Sequence, residues 1–307
     1  MRKIFTLFVA LVYCATVTAQ NTYLFAERDG EKLYLDHYTA VDTEGLRPCV
    51  IFAFGGAFAR GTRADEGYLP YFKALTEAGY DVVSIDYRKH LAKGINTEGL
   101  KGAVVTMKNA VEYAAQDMLS ATAFVLKNAE QWSVNTQQIV ACGSSAGAIA
   151  VLQAENYITN RSSRAAKLGA DYNYAGVIAF AGAIYSVLGE PSWRDMPCPI
   201  MLFHGNADRN VPYRKATILA TGFYGSDYIA EQLHEKGATY YFHSAHYRDH
   251  ALALSPLTDN HDEIIDFLNR CVLNREKMQH TNEFVAEGIE PCQTEFTVQE
   301  YLNSNYN

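Results

Sequence analysis

Residues 138–149 read Gln138-Ile139-Val140-Ala141-Cys142-Gly143-Ser144-Ser145-Ala146-Gly147-Ala148-Ile149. The run 138–142 is apolar without alternation, as a strand buried on both faces should be. Residues 146–156 read as a helix. Between them lies Gly143-Ser144-Ser145-Ala146-Gly147, a G-x-S-x-G pentapeptide. Its glycines permit a sharp reversal and a close approach of helix to strand. Such a turn lifts the hydroxyl of Ser145 above the sheet. It also aims the amide of Ala146, at a helix N-terminus, toward any negative charge that develops there. The side chain of Ser144 should point away. Alone, a cluster of small residues is a common turn; a strand before it and a helix after it give it a chemical reading.

Outward from this stretch, strands and helices alternate. Residues 24–25 and 32–39 read as an opening pair of strands, with Asp29-Gly30 as the hairpin turn. Apolar runs at 49–54, 81–86, 176–180 and 200–203, and a last strand at 239–243, supply the rest of a sheet. Helices are expected at 67–78, stopped by Gly79, and at 226–235, stopped by Gly237. A long helix is expected at 107–129, with an apolar stripe through Met107, Ala110, Val111, Ala114, Met118, Leu119, Thr122, Leu126 and Ala129. A loop rich in Gly and Lys precedes it at 89–102. The last helix is expected at 262–272, and the chain after it is polar. Strands separated by helices mean βαβ units and a mainly parallel sheet covered on both faces.

The chain has 307 residues, 49% hydrophobic and 20% charged. That is too apolar for disorder and too short of long apolar runs for a membrane bundle. Its 26 basic residues are scattered among 34 acidic ones, so nucleic acid is not an expected partner. The 21 tyrosines suit strand packing and interfaces, and also surfaces that stack on sugars or aromatic groups. Arg2-Lys3, an apolar stretch at 4–17 and Ala19 read as a secretory signal peptide cleaved after Ala19. The stretch is too short to span a bilayer, and Tyr13 argues against lipidation at Cys14. Cleavage takes the net charge from −8 to −10. The expected organisation is a signal peptide at 1–19, one domain at 20–272 and a C-terminal extension at 273–307, in a secreted or periplasmic protein. Five cysteines remain after cleavage, so at least one is unpaired; Cys271 and Cys292 are a possible pair. No C-x-x-C or close His/Cys grouping argues for a metal site.

Phe54-Gly55-Gly56-Ala57-Phe58 follows the strand at 49–52. A Gly-Gly turn there presents backbone amides unobstructed by a β-carbon, which an oxyanion site requires. His204-Gly205-Asn206-Ala207-Asp208 follows the strand at 200–203. A carboxylate at the end of a strand can orient a histidine and stabilise its imidazolium form. His204, in the strand end, reads as a hydrogen-bonded structural histidine. The histidine in question must come later, from His234, His243, His246, His250 or His261. His234 falls in a helix, His243 in the last strand and His261 at the start of the final helix. His246 and His250 fall in the loop after the last strand; His250 has the longer reach and is the choice.

The motifs FGGAF (54–58), SIDYR (84–88), GSSAG (143–147), HGNADRNVP (204–212) and DHALA (249–253) occur in that order. With them, residues 45–272 resemble the serine carboxylesterases of the α/β-hydrolase fold, in the branch of hormone-sensitive-lipase-like and feruloyl/acetyl esterases. Gln116-Asp117 and Phe223-Tyr224-Gly225-Ser226 resemble bacterial secreted members. The resemblance implies cofactor-free ester hydrolysis with Ser145 as nucleophile, Asp208 as acid and His250 as base, in the fold's chain order. Gly56, Ala57 and Ala146 are the implied oxyanion amides. The family usually opens its oxyanion motif with His, and Phe54 stands in that place, which bears on the loop's geometry. Asp86 and Arg88 are expected to brace this loop.

The expected activity is hydrolysis of small-molecule or polysaccharide esters, acetyl or feruloyl esters of plant polysaccharide among them. A lipase or a serine exopeptidase of the same fold, and an inactive hydrolase fold used for binding, are the competing readings. Ester turnover separates the last from the first, and peptide turnover separates the exopeptidase.

Overall fold

A computed structural model describes residues 21–41, 43–94, 99–297 and 300–301. The signal peptide read at 1–19, Cys14 and part of the loop expected at 89–102 lie outside the described residues. The chain opens with the hairpin β1 (Asn21–Arg28) and β2 (Glu31–Tyr38), reversed at Asp29 and Gly30, which take φ values of 53° and 79°. There follow β3 (Arg47–Ala53), α1 (Leu69–Glu77), β4 (Asp81–Ile85), α2 (Gly99–Trp132), β5 (Val134–Ser144) and α3 (Ala146–Thr159). Next come β6 (Gly176–Phe180), β7 (Ala183–Ser186), β8 (Ile200–Gly205), β9 (Lys215–Ile218), β10 (Thr221–Gly225) and α4 (Ser226–Lys236). The last elements are β11 (Tyr240–Ala245), α5 (Pro256–Asp259), α6 (His261–Phe267) and β12 (Gln279–Phe284).

Among the described residues nine strands form one sheet in the order β1-β2-β4-β3-β5-β6-β8-β11-β12. The β1/β2 and β2/β4 pairs are antiparallel and all later pairs are parallel. This is the α/β-hydrolase architecture. The central strands β4, β6 and β8 are buried along their whole length, and β3 from Cys49 onward, because helices cover both faces. The parallel strands β3, β5, β6, β8 and β11 all point their carboxyl ends to one edge. In an open α/β sheet ligands bind at that edge.

Three departures from the sequence reading have physical causes. The long helix begins at Gly99, not at 107. Gly99 and Gly102 cost a helix about 1 kcal/mol each, but tertiary contacts hold this end: Tyr185 of β7 reaches the carbonyl of Val104. A second sheet, β7-β10-β9, is antiparallel and made of strands of four or five residues. The polar segment after residue 273 supplies β12, which pairs in parallel with β11. As an exposed edge strand, β12 has no buried face to impose alternation. Cys271 and Cys292 are not joined; the five described cysteines are free thiols, with only Cys292 exposed. Among the described residues no helix is long and apolar enough to cross a membrane.

One buried acid in α3 gives a stability test. Glu155 of α3 is fully buried, and its Oε1 accepts the amide of Cys198 at 2.9 Å. Burial outweighs its hydrogen bonds and pushes the carboxyl from the usual 4.5 up to about 7. The folded protein then holds a proton that the unfolded chain releases, so stability is lost as pH rises from about 4.5 through about 7. Glu155→Gln removes the charge and keeps the acceptor. It should stabilise the protein by about 3 kcal/mol at alkaline pH and by little in acid. Urea unfolding on both sides of that window checks this; an equal effect on both sides would contradict it.

Candidate functional site

The turn between β5 and α3 carries Ser145 in a conformation that few residues other than glycine adopt, with φ 50° and ψ −113°. Such strain persists only where the surroundings enforce it. Here the Ser145 amide donates to the carbonyl of Phe180 at 2.8 Å, and the Ser145 carbonyl accepts from Ile149 as the helix begins. Gly147 lets α3 pass close to β3, since a β-carbon there would lie 2.1 Å from the carbonyl oxygen of Ala53.

The structure brings Ser145, His250 and Asp208 into one hydrogen-bonded chain. The Ser145 Oγ lies 2.8 Å from His250 Nε2, and His250 Nδ1 lies 2.6 Å from Asp208 Oδ2. Asp208 sits in the turn after β8 and is fully buried; its Oδ1 accepts the amides of Asn210 at 2.7 Å and Val211 at 3.0 Å. Burial alone would raise its carboxyl. Hydrogen bonds from His204 and His250 outweigh that and hold it well below the usual carboxylate range. Asp208 therefore stays ionised, and a carboxylate so placed can stabilise a positive charge on the imidazole beside it.

His250 opens a short 3₁₀ turn, His250–Ala253, whose preceding residue Asp249 caps it by accepting from the amide of Ala251. The hydroxyl of Ser144, expected only to point away, donates to the carbonyl of Ala253 at 2.7 Å. The residue before Ser145 thus latches the loop that carries His250. His246 stands elsewhere. Its Nε2 bonds Glu283 of β12, and its Nδ1 faces Asn206. His243 bonds Glu263, and His261 bonds the carbonyl of Leu257.

The turn after β3 lies beside this chain. Gly56 adopts φ 129°, and a β-carbon there would lie 2.4 Å from the carbonyl oxygen of Arg60. Ala57 and Phe58 follow with φ 53° and 55°. Among the described residues neither the Gly56 nor the Ala57 amide donates to a protein acceptor. Ala146 opens α3, so its amide has no carbonyl one turn earlier in the helix to meet. These are unspent donors near Ser145.

Phe54, at the head of the Gly-rich turn, is buried and stacks on Tyr87 with ring centres 4.4 Å apart. The Tyr87 hydroxyl donates to the carbonyl of Phe54 at 2.9 Å. The Tyr68 hydroxyl accepts the amide of Gly55 at 3.2 Å. An aromatic stack and two tyrosine hydroxyls therefore hold the turn. The bracing by Asp86 and Arg88 is indirect. Asp86 pairs with Arg63, further along the same loop, at 2.8 Å. Arg88 turns away to Asp117 of α2 at 2.9 Å and to Asp29 at 3.4 Å. Tyr87, between them in SIDYR, makes the direct contact, and nothing in its spacing marked it out.

The arrangement is a hydroxyl beside an imidazole, an imidazole beside a buried carboxylate, and a Gly-rich turn with unspent amides next to the turn that carries the hydroxyl. Chemically it suits attack on an acyl carbon. Residues 35–184 match the BD-FAE family model, a stretch that contains the Gly-rich turn and Ser145 and ends before Asp208 and His250. Among solved structures the chain is similar to the butyrate-bound form of a thermophilic esterase from the planctomycete Thermogutta terrifontis. That pair has a TM-score of 0.61 and 19% identity over 84% of this chain and 94% of that one. The native form of the same esterase gives 0.59 and 18%, over 80% and 91%. Thermogutta terrifontis esterase 2 phosphoramylated by tabun gives 0.58 and 18%, over 86% and 98%. At this identity the likeness is one of fold. No curated protein matches the chain.

Proposed function

We propose that this chain, a serine ester hydrolase of the α/β-hydrolase fold, cleaves acetyl or feruloyl esters of plant polysaccharide outside the cytoplasm, after removal of residues 1–19. In this reading Ser145 attacks the acyl carbon while His250 Nε2 takes its proton. Asp208 holds the Nδ1–H and stabilises the imidazolium that forms. The oxyanion gathers its charge on the amides of Gly56, Ala57 and Ala146. His250 then protonates the leaving alcohol, and an acyl group remains on Ser145. Water, deprotonated by the same imidazole, releases the acid. The observation that carries the reading is the unbroken chain from Ser145 Oγ to His250 to Asp208, at 2.8 and 2.6 Å.

The substrate class is supported by the BD-FAE match across the Gly-rich turn and the nucleophile. The apolar leader at 1–19 supports export. The test is a panel of p-nitrophenyl acyl esters, acetylated xylan and methyl ferulate. Release of acetate from xylan, or of ferulate from its methyl ester, at rates comparable with the best p-nitrophenyl ester is expected. Activity confined to long-chain acyl esters would replace this reading with that of a lipase.

A further inference from the structure

The sequence reading treats His204 as a structural histidine, and the geometry points to more. His204 is fully buried at the end of β8. Its Nε2 lies 3.2 Å from Asp208 Oδ2 and 3.2 Å from the carbonyl oxygen of Val211. Its Nδ1 lies 2.8 Å from the hydroxyl oxygen of Ser226. The tautomer follows from these neighbours. Nε2 faces only acceptors, so it carries the hydrogen; Nδ1 faces a hydroxyl, which donates to it. The oxygen of Asp208 that faces His250 therefore faces a second imidazole as well. Asp208 Oδ1 already accepts two backbone amides, and Oδ2 is left to be shared by His204 and His250.

We propose that His204 is a positioning residue for the hydrolytic site: its Nε2–H pins Asp208 Oδ2, so that one carboxylate oxygen serves two histidines and stays aimed at Nδ1 of His250. The proposal rests on the assignment of Ser145, His250 and Asp208 given above. Two amides on Oδ1 fix one end of the carboxylate but leave its plane free to rock about that end. A second donor to Oδ2, carried by the end of β8 and not by the His250 loop, stops the rocking. Ser226, at the start of α4, fixes the ring of His204 in turn. The orientation of the catalytic imidazole is thus referred back to β8 and α4, and not to its own loop alone.

Two near-isosteres separate the ring's two nitrogens. Glutamine places an amide nitrogen near the position of Nε2, and asparagine places one near that of Nδ1. His204→Gln keeps the donor toward Asp208 and should retain kcat within about threefold. His204→Asn keeps only the Ser226 side. It should lower kcat by about 10- to 100-fold, the scale of a misplaced catalytic group, with KM unchanged. Its kcat should also begin to fall at lower pH than in the wild type, because the imidazolium is less stabilised by a carboxylate that has swung away.

A purely structural role would lower the yield of folded enzyme without moving that pH limb. Rates are therefore expressed per folded molecule, with folding followed by circular dichroism. If His204→Asn does not fold, Ser226→Ala, which frees the ring to turn, takes its place and should move the limb in the same direction by less. An unmoved limb with full kcat in the folded variant, or a His204→Gln enzyme as impaired as His204→Asn, overturns the proposal. Ser145→Ala run alongside keeps the two assignments apart. If it retains activity, the triad assignment fails; if it is inactive while the limb stays in place, only the role of His204 fails.

Discussion

Ser145→Ala should lower ester turnover by about 10⁴- to 10⁶-fold and leave the protein folded. The Ser145 hydroxyl is the group in contact with His250 Nε2, and no other side chain reaches that nitrogen among the described residues. Alanine removes one oxygen and nothing else from a turn that the Phe180 carbonyl and the start of α3 hold in place. The backbone supplies a second arm. Ser145 sits at φ 50° and ψ −113°, a conformation costing on the order of 1–3 kcal/mol for a residue with a β-carbon. Ser145→Gly should therefore be as inactive as the alanine variant and more stable than the wild type by an amount on that order. Turnover of p-nitrophenyl acetate and urea unfolding measure the two quantities. An alanine variant retaining more than about a tenth of the wild-type rate, against losses of that size, would end the assignment of the nucleophile.

His250→Gln should lose activity on a similar scale, while His246→Gln should keep it. Both histidines lie in the loop after β11, four residues apart, and only their surroundings tell them apart. His250 touches Ser145 on one side and Asp208 on the other. His246 is engaged with Glu283 of β12, and its side chain and that of Glu283 are 33% and 58% exposed. A side-chain contact so open to solvent is worth at most about 1 kcal/mol, so losing it should trim stability slightly and leave kcat alone. The reverse pattern, an inactive His246→Gln beside an active His250→Gln, would move the base and leave the fold and nucleophile as they are.

The contrast between these two histidines shows how far the sequence reaches. The loop's position after the last central strand was legible, and chain length favoured His250 on reach. What holds His246 away is β12, a strand that the sequence reading left as a polar tail. Its residues Gln279–Phe284 are mostly exposed, so no alternation of apolar and polar side chains announces it. The same limit hid the small sheet of β7, β9 and β10, whose strands are too short to establish a period. The bracing of the Gly-rich turn was hidden for a different reason. Phe54 reads as the loss of a histidine, and only the packed structure shows Tyr87 stacked beneath it.

What the sequence by itself determined is everything that depends on local pattern. Uninterrupted apolar runs specify strands buried on both faces, and glycines at Gly143 and Gly147 specify the turn that lifts Ser145. The alternation of strands with helices specifies a parallel sheet with its loops gathered at one edge. What only the tertiary structure decided is which polar atoms meet. Ser144 latches the His250 loop, Tyr87 braces the Gly-rich turn, and His204 shares the oxygen of Asp208. These contacts join residues far apart in the chain or, for His204 and Asp208, residues brought together across the turn after β8. Their distances are set by how the strands and helices pack, which no periodicity in the chain records.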